Sequence, residues 1–323
     1  MPSNQSPLGA LPARFRRVRV LVVGCGDVGL RVLRARSAGP RWLALTSSPA
    51  RCAALRAAGA VPLLGDLDDA ASLRRLAGLA QRVLHLAPPP GSGAGDPRTV
   101  KLLRALRLRS APMALVYGST SGVYGDHGGA LVRETSTLHA ANPRALRRVA
   151  AENALRLWGR SSLGGAGLVR VSILRIPGIY ANDRTGGTPR ERLLRGTPVL
   201  TTQDDVFTNH IHADDLARAC TAALWRGKPQ RTLNVNDDTR LKMGDYFDLA
   251  ADLYGLPRPP RLPREAAAAQ LPPMQLSFMS ESRQMDNTRL KRELRLVLRY
   301  PQVRQGLAFG AAALAVQKAH QKA

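Results

Sequence analysis

The sequence contains few cysteines and no long apolar run. Only three of its 323 residues are cysteines, Cys25, Cys52 and Cys220, and they are widely separated. This spacing excludes a disulfide framework and a CxxC metal site, and it is typical of a reducing cytoplasm. No apolar run approaches the roughly 18–20 residues that a membrane span needs. Residues 1–16 also lack the apolar segment of a secretion signal, so we expect a disordered lead-in and a cytoplasmic protein without membrane contact.

Aromatic residues and lysines are also scarce, although the formal net charge is +25. Nearly all of the positive charge is arginine, and it is spread over every predicted helix. Aromatic residues make up only 4% of the chain, so the stacking platform of many nucleic-acid-binding proteins is missing. The charge distribution therefore disfavours a nucleic-acid partner. It leaves small, phosphate-bearing ligands as the favoured class.

A glycine-rich turn follows the first apolar run. Residues 18–23 predict a buried strand, and an apolar pattern with helical spacing begins at Val28. Between them, Gly24 permits a tight turn, Gly26 lets a phosphate approach the backbone, and Gly29 lets the helix pack on the strand. The start of the helix then presents free N–H groups to an anion. The expected cofactor contacts in this turn are Gly24, Gly26, Asp27, Val28 and Gly29.

Short apolar runs alternate with helical stretches through the first half of the chain. This order predicts an α/β fold with a Rossmann-type, doubly wound parallel sheet. The rhythm changes after residue 176, where we expect a smaller C-terminal α/β substrate lobe. The predicted divisions are a lead-in at 1–16, a nucleotide-binding domain at 17–176, a lobe at 177–300 interleaved with the core sheet, and a C-terminal helix within 301–323. Predicted helices include Asp69–Leu79, Thr99–Leu108, Arg144–Trp158 and Val303–Gln317.

The end of the second predicted strand bears on the choice of cofactor. An NAD site places an acidic side chain there to bind the ribose hydroxyls, whereas this chain has Thr46 and Ser47, with Arg51 one turn later. These groups suit a 2′-phosphate and favour NADP, with NAD as the alternative. Asp66 follows the third strand, where its carboxylate could accept from an adenine amino group. In the simpler interpretation Ser47 and Asp66 only cap helices and Arg51 is solvated.

Several segments together resemble a known family. The chain is similar, from about residue 17 to 300, to the extended and atypical short-chain dehydrogenase/reductases, the NAD-dependent epimerase/dehydratase family. The segments that carry the resemblance are Gly24-Cys-Gly-Asp-Val-Gly29, Gly65-Asp-Leu67, Val116-Tyr-Gly-Ser-Thr-Ser-Gly-Val-Tyr-Gly125, Leu174-Arg-Ile-Pro-Gly-Ile-Tyr180 and Ile211-His-Ala-Asp-Asp-Leu216. The resemblance implies a nicotinamide cofactor, and it adds Leu67, Ala87, Pro88, Pro177 and Ile179 to the expected cofactor contacts.

The resemblance also implies a catalytic set, from which this chain departs. Thr120 occupies the position of the family's Ser or Thr, which orients the reacting oxygen. Counted back from Glu152, the positions of the family's Tyr and Lys hold Arg144 and Arg148. Arg148 can supply positive charge to a ribose, but the guanidinium of Arg144 cannot shuttle protons. Another group must then carry the proton, or the redox activity has been lost.

Other polar side chains are candidates for the proton-transfer and substrate-binding roles. Tyr124 is a further catalytic candidate, and each candidate also has a purely structural interpretation. No metal site is expected, because His210 and His212 have no third ligand nearby in sequence. The expected substrate contacts are Asp126, His127, Tyr180, Arg184, Asn209 and His210, with Arg192 as an additional candidate. Asp183, like Asp126, His127 and His210, is a further candidate to carry the proton.

Two functions from different classes follow. The first is an NAD(P)-binding oxidoreductase or epimerase-like enzyme that transfers hydride to or from a carbonyl or secondary alcohol of a small molecule. The alternative is a regulatory protein that senses NADP without turnover, which the missing Tyr favours. The resemblance also suggests a homodimer formed through the helices Thr99–Leu108 and Arg144–Trp158.

Overall fold

A computed structural model describes residues 17–36, 38–161 and 169–308. Seven parallel strands form the central sheet, in the order β12-β7-β5-β4-β1-β2-β3. This order and the flanking helices confirm the predicted Rossmann-type, doubly wound fold. In chain order the strands are β1 Arg19–Val23, β2 Arg41–Thr46, β3 Val61–Leu64, β4 Arg82–His85, β5 Ala114–Thr120, β6 Leu131–Val132, β7 Arg170–Ile176, β8 Gly178–Tyr180, β9 Val199–Leu200, β10 Phe207–Thr208, β11 His210–His212, β12 Arg231–Asn234, β13 Leu241–Lys242, β14 Arg261–Leu262 and β15 Gln284–Met285.

Helices cover both faces of the sheet. The α-helices are α1 Asp27–Arg34, α2 Cys52–Ala57, α3 Pro97–Arg107, α4 Pro143–Ser161, α5 Arg190–Leu194, α6 Ala213–Arg226, α7 Met243–Tyr254, α8 Arg264–Gln270, α9 Pro273–Met279 and α10 Thr288–Leu294. Alternate residues of β1 enter different cores. Val22 packs with α1 and α6, while Leu21 packs with α3 and α4. Because β1 is buried on both faces, its sequence is a continuous apolar run.

The chain beyond residue 176 contributes to the central sheet and its helices, and it also forms a second apolar core. Its β12 extends the central sheet beside β7, and α6 joins the core on the α1 face. A separate apolar core forms around α5, α7 and α8, with Leu193, Phe247 and Ala267 among its buried members. We refer to the elements around this second core as the lobe. Phe247 of the lobe borders the same cavity as Thr120 and Pro177, so the lobe lies directly beside the carboxyl ends of the sheet strands.

Two stretches differ from the sequence-based prediction. The helix expected at Asp69–Leu79 is only a short 3₁₀ helix, Ser72–Leu76. There the Ser72 hydroxyl donates to the Asp66 and Asp69 carbonyls, and Gly78 has a φ of +65°, so turn hydrogen bonds replace helical ones. The helices α8 and α9, which follow the proline-rich residues 256–263, were not predicted. Pro263 and Pro272 immediately precede them, and proline is compatible with a helix start because no partner for its missing N–H is needed there.

Some predictions lie outside the described residues. These are the lead-in at 1–16 and most of the helix predicted at Val303–Gln317, of which residues 303–308 are described and helical. In the described part of the chain, no helix combines the length and apolar character that crossing a bilayer requires.

Candidate active site

The three glycines of the turn between β1 and α1 meet different surroundings. Gly24 has a φ of +80°, and a Cβ there would lie 2.2 Å from the Ala87 amide nitrogen. A Cβ on Gly29 would lie 3.2 Å from Cys25 Sγ, where α1 packs closely on β1. A Cβ on Gly26, by contrast, would meet no atom of the described residues within 4 Å. Packing of the described residues therefore does not require glycine at Gly26, and the open space above it leaves room for a bound phosphate.

The end of β2 lies close to this turn. The Arg51 guanidinium donates to the Cys25 carbonyl with an Nη2–O distance of 2.5 Å. Thr46 is buried and its hydroxyl accepts from the Ser48 amide, whereas Ser47 is exposed. Tertiary structure thus places one cation, Arg51, directly against the glycine turn.

The residues of the turn after β3 mainly make contacts within the chain. The Asp66 carboxylate accepts from the Asp68 amide at 2.8 Å, which is a local turn contact. Leu67 packs against the apolar core. Asp66 is nevertheless exposed, so its second carboxylate oxygen remains accessible from solvent.

An ion network joins the start of α1 to the lobe side of the molecule. Arg31 is buried and contacts three carboxylates: Asp27 at 3.1 Å, Asp214 at 2.6 Å and Asp183 at 2.5 Å. Arg184 contacts the other oxygen of Asp27 at 2.9 Å. Asp183 is thereby engaged with Arg31, and Val28, beside Asp27, packs against the core. The network fixes the loop that follows β8 against the amino end of α1.

A cavity of about 740 Å³ lies between the carboxyl ends of β4, β5 and β7 and the lobe. We call it the central cavity. Residues that are far apart in sequence meet in this cavity. In a doubly wound sheet, ligands are expected at this carboxyl edge of the strands. The predicted site residues on its wall are Pro88, Thr120, Arg148, Pro177, Ile179, Tyr180, Arg184, Asn209 and His210. Ala87 lies at the end of β4, against Gly24.

Thr120 and Arg148 lie at the sheet end of the central cavity. The Thr120 hydroxyl accepts from the Gly122 amide at 3.2 Å, so its own proton is left for another partner. Arg148 donates to the Tyr117 phenol at 2.9 Å and to the Gly118 carbonyl at 2.7 Å. Burial raises the pKa of Tyr117 to about 12, although Arg148 opposes this shift. Neutral partners therefore hold Arg148, whose charge stays available to the cavity.

Arg144 also reaches the cavity wall. It lies at the exposed start of α4, with its guanidinium carbon 5.0 Å from the centre of the Phe278 ring. The long helix α4 thus presents arginine at both positions where the sequence comparison expects Tyr and Lys. Neither side chain can deliver a proton.

The geometry corrects the expected role of Tyr124. Its side chain is fully buried in a small core with Val123, Val132 and Met285, away from the central cavity. The phenol donates to Asn234 Oδ1 at 2.6 Å, and burial raises its pKa. Tyr124 is part of the core because the turn after β5 directs it under the sheet edge, so it is not placed to exchange protons with a substrate.

Asp126 and His127 likewise do not line the central cavity. The Asp126 carboxylate accepts from the Ser282 amide at 2.7 Å, and these backbone bonds lower its pKa. His127 stacks on His139 with ring centres 4.6 Å apart. Asp126 borders only a smaller neighbouring pocket. The Asp126 carboxylate ties the loop after β5 to Ser282, and the His127 ring packs on His139 instead of facing the cavity, which corrects their expected role in substrate binding.

The remaining substrate candidates lie at the lobe end of the cavity. The Asn209 amide is occupied on both sides, donating to the Arg283 carbonyl and accepting from the Met285 amide, each at 2.9 Å. His210 stacks on Tyr246 with ring centres 4.1 Å apart, and burial lowers its pKa to about 4. Tyr180 is buried, its hydroxyl has no hydrogen-bond partner among the described residues, and burial raises its pKa. His210 is therefore a neutral ring at physiological pH.

Sequence reasoning missed several residues of the cavity wall, and the wall is strongly positive. It carries six arginines, Arg144, Arg147, Arg148, Arg184, Arg192 and Arg283, against a single carboxylate, Glu281. Glu281 accepts from Asn142 at 3.1 Å and pairs with Arg283 at 2.8 Å. Arginines and acids are common along the whole chain, so no local pattern distinguished these from solvated ones. Only the approach of α9 and the following segment to α4 assembles them.

The comparisons with known proteins agree with this architecture. The sequence profile of the NAD dependent epimerase/dehydratase family matches residues 20–236. A search of the curated proteins gave no match. Among solved structures, a functionally unknown conserved protein from Silicibacter pomeroyi is 30% identical, with a TM-score of 0.76 over 92% of this chain and 99% of the other.

Two more distant structures share the fold. MoeE5, solved in complex with UDP-glucose and NAD, is 21% identical with a TM-score of 0.68, over 93% of this chain and 99% of the other. The UDP-glucose 4-epimerase of Thermotoga maritima, solved with UDP-glucose, is 19% identical with a TM-score of 0.73, over the same shares. The family profile covers more than half of this chain, and the glycine turn and the cavity lie where the fold places its ligands. This protein belongs to the NAD-dependent epimerase/dehydratase family.

Proposed function

We propose that the protein binds NADP at the glycine turn and transfers hydride between it and a carbonyl or secondary alcohol of a small molecule, as an oxidoreductase or epimerase-like enzyme. The observation that carries this proposal is the open space above Gly26, at the amino end of α1. The residues around this space fit a dinucleotide. Gly24 and Gly29 fix the turn, and the helix start supplies N–H groups to a pyrophosphate. Family membership supports a nicotinamide cofactor, which would supply the hydride chemistry.

The chain's own residues account for binding and orientation. Ala87, Pro88, Pro177 and Ile179 would hold the nicotinamide at the carboxyl ends of β4 and β7. Thr120 would donate its hydroxyl proton to the reacting oxygen, and Arg148 would bind the neighbouring ribose. The described cavity wall carries one carboxylate, Glu281, which would exchange the proton with the substrate.

The preference for NADP over NAD rests on Arg51. Its guanidinium lies against the glycine turn at 2.5 Å from the Cys25 carbonyl, beside the exposed Ser47. A 2′-phosphate there would gain a charge-assisted hydrogen bond. Asp66 and Thr46 would border the adenosine on the same side, with Leu67 packed beneath.

Fluorescence titration with NADPH and NADH tests the cofactor assignment. NADPH should bind at least tenfold more tightly than NADH, and Arg51→Gln should remove most of this difference without weakening NADH. The exposed Arg56, on the following helix, provides a matched control as Arg56→Gln, which should leave both affinities unchanged. If neither coenzyme changes the fluorescence at high micromolar protein, the proposed function is wrong.

A second candidate is a protein that binds NADP without turnover, and arginine at position 144, in place of the family's Tyr, favours it. A panel of carbonyls and secondary alcohols, including the UDP-glucose seen in the two neighbours, separates the candidates when followed at the nicotinamide absorbance. Turnover that is lost in Thr120→Val supports the enzyme. If NADPH binds but no compound of the panel is turned over, the result supports the sensor.

We further propose a homodimer through α3 and α4. Leu157 on α4 and Leu108 just after α3 are 69% and 62% exposed, which is unusual for leucines on adjacent helices and gives these helices an apolar face to bury. Light scattering of the protein and of Leu157→Glu tests this: the variant should have half the mass of the wild type.

A further inference from the structure

Three arginines of the helix α4 lie together on the wall of the central cavity. They are Arg144, Arg147 and Arg148, all within the first two turns of the helix. We call them the arginine cluster. Residues three and four positions apart share one face of a helix, so the start of α4 presents three positive charges to one side of the cavity.

The described residues that hold the arginine cluster are uncharged. The ring of Phe278 packs on Arg144, with its centre 5.0 Å from the guanidinium carbon. The Gly93 carbonyl accepts from Arg147 at 3.2 Å. Arg148 is held by a phenol and a backbone carbonyl. Within the described part of the chain, no carboxylate therefore neutralises any of the three.

The single carboxylate of the described cavity wall is engaged elsewhere. Glu281 pairs with Arg283 at 2.8 Å and accepts from Asn142 at 3.1 Å. Like charges three and four residues apart destabilise a helix, and Arg144 also lies in the first turn, where the helix end is itself partly positive. The cluster therefore repels itself in the free protein, and a bound anion would relieve this repulsion.

Two members of the arginine cluster are open to a ligand. Arg144 is exposed and Arg148 is half-buried, whereas Arg147 is buried. Arg148 uses Nη1 for both of its hydrogen bonds, so its Nε–Nη2 edge has no hydrogen-bond partner among the described residues. An anion can therefore contact Arg144 and Arg148 directly, and Arg147 adds positive charge behind them.

The arginine cluster adjoins the end of β5, where the reacting oxygen is expected. A Cβ on Gly122 would lie 3.6 Å from Thr120 Oγ1 and 3.9 Å from Cβ of Ala145, the residue that follows Arg144. Arg148 contacts the β5 backbone itself. If Thr120 orients the reacting oxygen, an anionic group on the arginine cluster lies only a few bonds from the reacting carbon of the same small molecule.

We propose that the arginine cluster binds the phosphate of a small phosphate monoester, a hydroxy or oxo compound that carries its phosphate close to the reacting carbon. This proposal rests on the proposed function, since it names the substrate class of that cavity. A phosphate monoester carries nearly two negative charges near neutral pH, and its oxygens match the fork of a guanidinium. A carboxylate carries one charge and would leave more of the cluster uncompensated.

Calorimetry tests the assignment with dihydroxyacetone phosphate, sn-glycerol 3-phosphate and D-glucose 6-phosphate as probes, on the protein with and without saturating NADP⁺. At least one ester should bind at least tenfold more tightly than its counterpart without phosphate, which is dihydroxyacetone, glycerol or D-glucose. Arg144→Gln should reduce this preference at least fivefold, because it removes one of the two guanidinium groups in contact with the phosphate.

Arg160→Gln is the matched control, because it removes the same charge from the same helix. Arg160 is exposed and lies about 24 Å along α4 from Arg144, a distance at which salt screens its charge, so the preference should remain. The assignment is overturned if no ester binds more tightly than its counterpart or if Arg144→Gln keeps the preference. It is also overturned if glycolate or UDP-glucose binds tenfold more tightly than every ester.

A thermal measurement does not depend on the choice of ester. Inorganic phosphate, added at constant ionic strength to the NADP⁺-saturated protein, should raise Tm by about 2 °C or more. Arg144→Gln should lose most of this rise, and Arg160→Gln should keep it. An equal rise in the wild type and Arg144→Gln would overturn the proposal, as would the absence of any rise in the wild type.

Titration with NADPH separates this inference from the proposed function. If the wild type binds no coenzyme, the proposed function is wrong, and the calorimetry without NADP⁺ still decides whether the arginine cluster binds a phosphate ester. Normal coenzyme binding without a preference for phosphate esters contradicts only the inference about the cluster.

Discussion

The guanidinium of Arg184 lies 2.9 Å from the carboxylate of Asp27, so that a loop at the cavity contacts the first residue of the helix behind the glycine turn. Both side chains are about one third exposed, and such a pair contributes at most about 1 kcal/mol to stability. The pair should have a larger effect on the affinity for an anion bound above Gly26. The Arg184 charge attracts that anion, whereas the Asp27 charge repels it.

Substitutions of this pair should therefore change coenzyme affinity with opposite signs. Asp27→Asn removes a negative charge beside the anion and should tighten NADPH binding about threefold to tenfold. Arg184→Gln should weaken it by a similar factor. Fluorescence titration at low and high salt measures both, and equal affinities for the two variants would contradict the placement of the pyrophosphate.

Two glycines of the turn should respond differently to alanine. Gly24→Ala forces a Cβ to 2.2 Å from the Ala87 amide nitrogen at a φ of +80°, so it should lower the free energy of unfolding by about 3 kcal/mol or more. Gly26→Ala enters open space; it should leave Tm within about 2 °C of the wild type and weaken NADPH binding at least tenfold. Urea unfolding and coenzyme titration of the pair distinguish packing from ligand contact. Strong coenzyme binding by Gly26→Ala would count against the site.

The buried ion pair between α4 and β7 should determine stability rather than coenzyme binding. Glu152 and Arg175 are 1% and 2% exposed and lie 2.8 Å apart, and Ser119 also donates to Glu152. Glu152→Gln leaves the Arg175 charge uncompensated and should cost about 3 kcal/mol in urea unfolding. The exposed Glu191 gives a control, and Glu191→Gln should change stability by less than about 0.5 kcal/mol. A loss below 1 kcal/mol for Glu152→Gln would contradict this estimate.

Acidification should destabilise the protein partly through His210. Burial lowers its pKa from 6.5 to about 4, so between these values the unfolded chain binds a proton that the folded chain does not. The free energy of unfolding contributed by this group therefore falls as the pH drops from about 6.5 to about 4. His85 and His212 are shifted in the same direction, so the test compares the wild type with His210→Asn. The variant should lose less stability than the wild type over that range, and parallel pH curves would refute the prediction.

Local patterns predicted most of the sheet and its helices. The apolar run of β1 and the glycines behind it specify a strand, a turn and a helix because each depends on neighbours within a few residues. The helix predicted at Asp69–Leu79 was wrong, because side-chain and backbone turn contacts around Ser72 compete with helical hydrogen bonds.

The candidate site was predictable only in part. Thr120, Pro177 and Arg184 reach the central cavity because they end strands or begin loops at the carboxyl edge of the sheet, a location that strand order alone implies. Tyr124 was misplaced because its exposure depends on how the turn after β5 packs against residues more than a hundred positions later. Glu281 and Arg283 were missed for the same reason.

The sequence by itself determined a nucleotide-type turn, a parallel sheet and an arginine-rich composition, since these depend on residue type and spacing. Only the tertiary structure decided which arginines are neutralised and which keep buried N–H groups without a partner among the described residues. Arg175, Arg31 and Arg192 are chemically identical side chains, and nothing near them in sequence separates them. Their roles differ because long-range packing supplies carboxylates to the first two and an aromatic cavity wall to the third.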